Sequence, residues 1–372
     1  MVNQPIHHLS VDMTKPLAHQ PEIGHNRWHP DIEPVLHVDP GDSVVIETLD
    51  AMDLQLTEDS TSDDVATSNL NRVHPLTGPV HVNGAEPGDL LEVHIDNIEP
   101  ARFGFTAQIP GFGFLRDLFP DPFLVRWRIA DGFATSPDLP GVQIADRSFM
   151  GVMGVAPSHN LLETMTERER LLLGRGGAVH PPEPNDAIPV NPLIAAEGLR
   201  TTPPRETGGN LDVKGLRRGT IAFIPVSVPG ALFSCGDAHF AQGDGEVCGT
   251  AIEMQAVLHC RFYLRKGEAA RRSLAAVSYL MDSSTSLAAR GKFFATTGIC
   301  VDENGTNHSE DASLSARNAV RNMIEHLVEE RGYSAQQAYA ICSVAVDLRL
   351  SEIVDVPNFV ASALLPEEIF VR

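Results

Sequence analysis

The run Gly236-Asp237-Ala238-His239-Phe240-Ala241-Gln242-Gly243-Asp244-Gly245-Glu246 sets two aspartates, a histidine and a glutamate within eleven residues, among three glycines. Carboxylates and an imidazole held this close need a cation, a proton or a hydrogen-bond network to compensate them. A second polar set could join them at strand ends: Asn210 and Asp212 in Thr207-Gly208-Gly209-Asn210-Leu211-Asp212, and Asp50 at the close of an apolar run. Asp50, Asp212, Asp237 and His239 could together ligate one divalent ion. Imidazole and carboxylate donors with an open position suit zinc, whereas an all-oxygen set suits calcium or magnesium. Glu246 would then be the base that takes a proton from an attacking water and returns it to the leaving group, with Asp237 and His239 beside it as catalytic groups. Asn210 and Gln242 could bind the substrate. The same residues also fit a solvated acidic loop or a structural cation site, and Gly208-Gly209-Asn210 fits a turn that satisfies only its own backbone.

A third concentration, His25-Asn26-Arg27-Trp28-His29-Pro30-Asp31, precedes the first clear strand. Arg27 could pair with a site carboxylate and Trp28 could wall a small pocket, or the segment could be an arm packed at a subunit contact. The chain has no Gly-x-Ser-x-Gly elbow, no Walker loop, no His-Glu-x-x-His and no Rossmann glycine pattern. Gly111-Phe112-Gly113 reads as a loop. Cys235 and Cys248, close to the acidic run, keep a nucleophilic thiol open as an alternative.

The elements that must position these groups are mostly strands. Ile221 to Val228 and Ala231 to Cys235 read as buried strands punctuated by Pro229-Gly230, so the acidic run sits at a strand end. Asp39-Pro40-Gly41-Asp42 opens the apolar run Ser43 to Leu49, and Glu86-Pro87-Gly88-Asp89 opens Leu90 to Ile95, an internal echo of turn followed by strand. In the second, Leu91, Val93 and Ile95 alternate with Glu92 and His94, the period of a half-buried strand. Residues 163–173 predict a short charged helix, and 174–204 a Pro-rich connection that could lie over the surface as a lid or subunit arm. Residues 266–350 turn to helical periodicity. Ala316, Val320, Met323, Ile324 and Leu327 share one face of a helix over 312–330, and Ser334 caps a second helix. The reading is an α+β fold, mostly β: a β-sandwich or jelly-roll-like core over residues 1–260, with 261–372 packed on it as a C-terminal portion that does not fold alone.

With 372 residues and 42% hydrophobic content the chain can bury a full core. Its formal net charge of -21 argues against nucleic acid or an anionic membrane as partner and favours a small neutral substrate. Five cysteines without a Cys-x-x-Cys pair read as free core thiols in a reducing compartment, and no apolar run reaches membrane-spanning length, so the expected location is cytoplasmic.

Several of these motifs resemble the acetamidase/formamidase family. The resemblance runs through Gly24-His25-Asn26-Arg27-Trp28-His29-Pro30-Asp31-Ile32, Gly84-Ala85-Glu86-Pro87-Gly88-Asp89, Gly208-Gly209-Asn210 with Asp212, and Gly236-Asp237-Ala238-His239 with Gln242-Gly243-Asp244-Gly245-Glu246. It continues through Ser343 to Arg349 and Ile353 to Asn358. It implies hydrolysis of a short linear amide, formamide or acetamide, to carboxylate and ammonia, at a metal-dependent site in a β-rich cytoplasmic homo-oligomer. Two departures stand out. Thr207 occupies the place where the family pattern carries a histidine, leaving His29, His74 and His81 as possible substitutes. Asp50-Ala51-Met52-Asp53 lacks the family's aromatic and glycine-containing version, which could reshape the pocket. The alternatives are a hydrolase of the same scaffold redirected to another amide, and a non-catalytic metal- or ligand-binding β-sandwich.

Overall fold

The two echoed turns use the same hydrogen bonds. In the first, the Asp39 amide donates to Asp42 Oδ2 at 3.1 Å and the Asp42 amide to the Asp39 carbonyl. In the second, the Glu86 amide donates to Asp89 Oδ2 at 2.9 Å and the Asp89 amide to the Glu86 carbonyl. Each aspartate side chain thus closes its own turn, and each turn launches a strand, Ser43–Thr48 and Leu90–Gln108. Both strands pair antiparallel with the same partner, Glu253–Arg265.

These strands belong to one large branched sheet in a computed structural model that describes residues 5–281 and 291–371. Its continuous path runs Gln143–Ala145, Phe133–Thr135, Phe123–Ala130, Leu90–Gln108, Glu253–Arg265, Phe233–His239, Phe149–Val155 and Gly208–Asn210. Leu76–Val82 branches from Phe233–His239. Phe233–His239 therefore lies inside the sheet, which is why every residue of it is buried.

The C-terminal portion adds the helices Ala312–Arg331 and Ala335–Ala345 and a three-stranded antiparallel sheet in the order Phe293–Ile299, Val360–Pro366, Asp347–Glu352. Ala316, Val320, Met323, Ile324 and Leu327 all face inward, and Ser334 closes a capping box with Gln337. The helical reading of 266–350 fails at Phe293–Ile299, where Phe, Thr and Ile favour a strand and Gly298 presses against the Ser315 carbonyl of the neighbouring helix. One apolar core runs through both portions, from Val38 to Ile369. The chain is α+β and mostly β, as its pattern of short strands predicts. All five cysteines are free and buried, and no helix among the described residues is long and apolar enough to cross a membrane.

The connection 174–204 holds one short helix, Pro192–Glu197, capped by Asn191. Arg27, fully buried, pins it by donating to the backbone carbonyls of Glu183 and Asn185. Arg27 thus holds the connection in place, and the structure pairs it with backbone oxygens where the sequence suggested a site carboxylate.

Candidate active site

Asp237 and His239 point from the same buried strand, and Glu253 begins the neighbouring one, with His239 and Glu253 directly opposite in register. Gly208–Asn210 brings Asp212 alongside from the far edge, and the turn after Phe233–His239 brings Glu246. His239 Nε2 lies 3.1 Å from Glu253 Oε2, 3.4 Å from Asp237 Oδ1 and 4.0 Å from Asp212 Oδ1. None of these contacts has hydrogen-bonding geometry: His239 Nε2, Asp212 Oδ1 and Glu253 Oε2 are buried without a partner among the described residues.

Gln242 fixes the proton on the other side of the ring. Its Nε2 donates to the Asp212 carbonyl at 2.8 Å, so its Oε1 is left facing His239 Nδ1 at 2.9 Å. Nδ1–H donates there, and Nε2 is the ring nitrogen turned toward the carboxylates. Phe149 packs edge-on against the ring and holds its plane. Gln242 therefore orients His239 and does not line the cavity.

Burial pushes both Glu246 and Glu253 up to about 8. Burial and the Glu246 carboxylate raise Asp212 well above the usual range. Burial alone would raise Asp237 as well, but His74 and His239 beside it outweigh burial and hold it low. For His239 burial opposes the charged ring, yet Glu253 and Asp237 overcome it and push the ring upward. Four carboxylates and one imidazole thus share a buried volume in which not all can be charged together, the electrostatic state that a divalent cation relieves.

The backbone supports this crowding at a cost. Asp212, Asp237 and Glu246 have φ of 48°, 55° and 43°, in the left-handed region where each non-glycine residue costs roughly 1 kcal/mol or more. Gly151 makes the approach possible. A methyl group there would lie 2.7 Å from Asp212 Oδ1 and 2.7 Å from Asp237 Oδ2.

A cation fits these donors on two grounds. The gaps of 3.1 and 3.4 Å around His239 Nε2 are close to the ~3.3 Å between donors of a tetrahedral site with bonds of ~2.0–2.1 Å. The donors nearest to one another, moreover, are the atoms left without hydrogen bonds. Two groupings share His239: Asp237 with Glu253, and Asp212 with Glu246. Asp50 belongs to neither; its Oδ1 accepts from the Met52 and Leu54 amides at 2.9 and 3.3 Å and closes its own turn.

The cluster opens into a cavity of about 760 Å³ lined by Asp212, Asp237, Glu246, Glu253, Asn210 and His74, among others. Asn210 Nδ2 is held by the Thr202 carbonyl at 3.0 Å, and its Oδ1 is buried without a partner among the described residues. Of His29, His74 and His81, His74 alone lines the cavity. His81 stacks on His37, and His29 lies beside Asp31 and His159. Trp28 does not reach the cavity either; it packs with Leu76, Val152, Leu162 and Leu199. Ala51 and Met52, in the departing segment, do line it, as do Ala178, Val179 and His180 of the Pro-rich connection. Glu253 and Gly151 escape the sequence reading. Glu253 leaves one trace, a carboxylate between Ile252 and Met254 at the head of an apolar strand.

The turn carrying Glu246 is tied to the C-terminal portion. Gly243 donates to the Ser343 carbonyl at 2.8 Å, Leu348 to the Asp244 carbonyl at 3.1 Å, and Asp244 to Asp347 Oδ1 at 3.3 Å. Lys214, buried two residues beyond Asp212, pairs with both Asp347 and Asp244.

A β-rich amidohydrolase scaffold with a buried carboxylate and histidine centre is what this fold and site define. The family model for the acetamidase/formamidase family matches residues 10–372, and the chain belongs to that family. It is 36% identical over 382 residues to a formamidase of Methylophilus methylotrophus, covering 97% of this chain and 93% of that one. It is 37% identical over 360 residues to an acetamidase of Mycolicibacterium smegmatis, covering 90% and 88%. Among solved structures, a gamma lactamase from Delftia acidovorans superposes with a TM-score of 0.93 at 37% identity, covering 98% of this chain and 94% of that one. The protein is a hydrolase of linear amide C–N bonds.

Proposed function

We propose that the centre holds one divalent ion, of the zinc class by its imidazole and carboxylate donors, with His239, Asp237 and Glu253 as its ligands, a fourth position left open and Asp212 standing beside it, and that Glu246 is the general base. The reaction is hydrolysis of a linear primary amide to carboxylate and ammonia; formamide and acetamide, the substrates named by the relatives, are its smallest members. The observation that carries this reading is the buried Nε2 of His239, turned by Gln242 toward three carboxylates with no hydrogen bond to any. When bound, the ion supplies Lewis-acid polarisation of the carbonyl, a lowered water pKa and a field that favours the ionised form of Glu246. Glu246 takes the proton from water as its oxygen adds to the amide carbon. The same carboxyl then gives that proton to the nitrogen as the C–N bond breaks, releasing ammonia and the carboxylic acid; the acid's own proton then passes to ammonia, so the products in neutral water are carboxylate and ammonium. Asn210 lines the cavity beside the centre and is the polar side chain that would meet the amide nitrogen.

The test is ammonia release from formamide and acetamide before and after chelation and with zinc restored, together with Glu246→Gln. Expected are loss of activity on chelation, recovery with zinc, and a fall of ~10²-fold or more in kcat for Glu246→Gln with metal content retained. Near-normal turnover by Glu246→Gln would remove Glu246 as the base.

A further inference from the structure

The cavity is far larger than the amides at the lower end of the reaction. At about 760 Å³ it lies within the ~300–1,000 Å³ of pockets that enclose drug-sized ligands, whereas formamide displaces little more than a few waters of ~30 Å³ each. Its lining is divided by segment. The carboxylates and Asn210 come from the strands and turns described above. Met52, Leu70, Ile109, Phe112, Leu172 and Val179 come from four other segments and are all apolar. Leu70, Phe112 and Leu172 are 39%, 37% and 47% exposed, so this apolar surface is uncovered and faces the same space as the catalytic groups.

The charged residues on the lining do not read as receptors for a charged tail. Glu169 is held by Arg205 through two hydrogen bonds, 2.7 and 2.9 Å. Arg200 donates to the Asn71 side chain and to the Leu70 carbonyl. Arg116 is solvent-exposed and donates to the Gly113 carbonyl. Burial lowers His180 and favours its neutral ring.

Resting on the amide-hydrolase reading, we infer that the preferred substrates are primary amides with an uncharged apolar acyl group of several carbons, seated against Met52, Leu70, Ile109, Phe112, Leu172 and Val179, and that Val179 on the Pro-rich connection helps set the length accepted. Contact energy from this remote group is available to the reacting centre, so it appears in kcat/KM.

The experiment is the kcat/KM for ammonia release by the metal-replete enzyme over formamide, acetamide, butyramide, hexanamide and benzamide, repeated with Val179→Phe. Burial at ~0.8 kcal/mol per methylene corresponds to about fourfold per carbon, so hexanamide, four carbons longer, should exceed acetamide by roughly two hundredfold. In Val179→Phe the ratio of hexanamide to acetamide should fall at least tenfold. A series that is flat or falls with length, from enzyme that does cleave acetamide, overturns this inference and leaves the amidase reading standing; that is also the result expected if a second copy of the chain fills the apolar space. Ammonia release from no amide, by folded and metal-replete protein, overturns both.

Discussion

Replacing Gly151 with alanine puts one methyl group between the two carboxylates that meet at this centre. Gly151 lies in the strand Phe149–Val155 and outside the left-handed region, so alanine adopts its backbone conformation without strain. The effect is therefore purely one of contact. The added carbon starts 2.7 Å from Asp212 Oδ1 and from Asp237 Oδ2 and 2.8 Å from the Asp237 backbone carbonyl, and ordinary contact begins at 3.4 Å, so each carboxylate oxygen must retreat by about 0.7 Å and the neighbouring strand must shift with them. Neither can do so by a simple rotation, because both backbones are fixed at positive φ and Asp237 is packed between buried strands. Displacement of a working group by ~1 Å costs about a hundredfold. Two carboxylates moved by somewhat less should cost ten- to a hundredfold in kcat/KM, or ~1.4–2.7 kcal/mol of transition-state stabilisation, with a parallel loss of metal affinity. Overpacking costs ~1–3 kcal/mol of global stability, offset by ~0.4–1 kcal/mol from the stiffer unfolded chain, so the protein stays folded. The assay pairs steady-state ammonia release with metal affinity by competition against a chelating dye, and with urea unfolding as the control. A folded Gly151→Ala protein within threefold of the parent in both activity and metal affinity would refute the assignment of Asp212 and Asp237 as working groups.

Gln242→Leu keeps the volume but removes the acceptor that orients His239; kcat/KM and metal affinity should each fall ten- to a hundredfold, and unchanged metal affinity would show that the ring orientation is set elsewhere. Asp50→Asn probes a buried carboxyl pushed up to about 7 by burial. Because its folded value is raised, the stability linked to its proton is complete below the unfolded value of 3.8 and is lost as pH rises through about 7. Urea unfolding should accordingly find Asp50→Asn more stable than the parent by roughly 2–4 kcal/mol at pH 8 and about equal to it at pH 4. Metal content should not change, and a loss of metal would return Asp50 to the ligand set.

The sheet elements and the C-terminal helices were legible because their cues are local. The echoed Pro-Gly turns, the alternation of Leu91, Val93 and Ile95, and the Ser334 cap each determine structure within a few residues. Asp212, Asp237, His239 and Glu246 stood out because glycine-rich polar runs have few other uses. Position in the chain was a poor guide to what enters the cavity. Trp28 sits in a conspicuous motif but serves a neighbouring core, and Asp50 closes a turn. Gly151 belongs to the site through a pairing between strands far apart in sequence, and nothing in its immediate neighbours announces it.

The ties between Glu246 and the end of the chain bear on when the enzyme becomes an enzyme. The turn that presents the base is held by Ser343, Asp347 and Leu348, almost a hundred residues after it is synthesised, whereas the strands bearing Asp237, His239 and Glu253 already have their sheet partners. A nascent chain can assemble most of the centre early, but the group that moves the proton is fixed only once the final helix and the strand after it have emerged. The positioned base therefore depends on residues 343–348, and a product cut short near residue 340 would lose these ties together with the core side chains from Ile341 to Ile369.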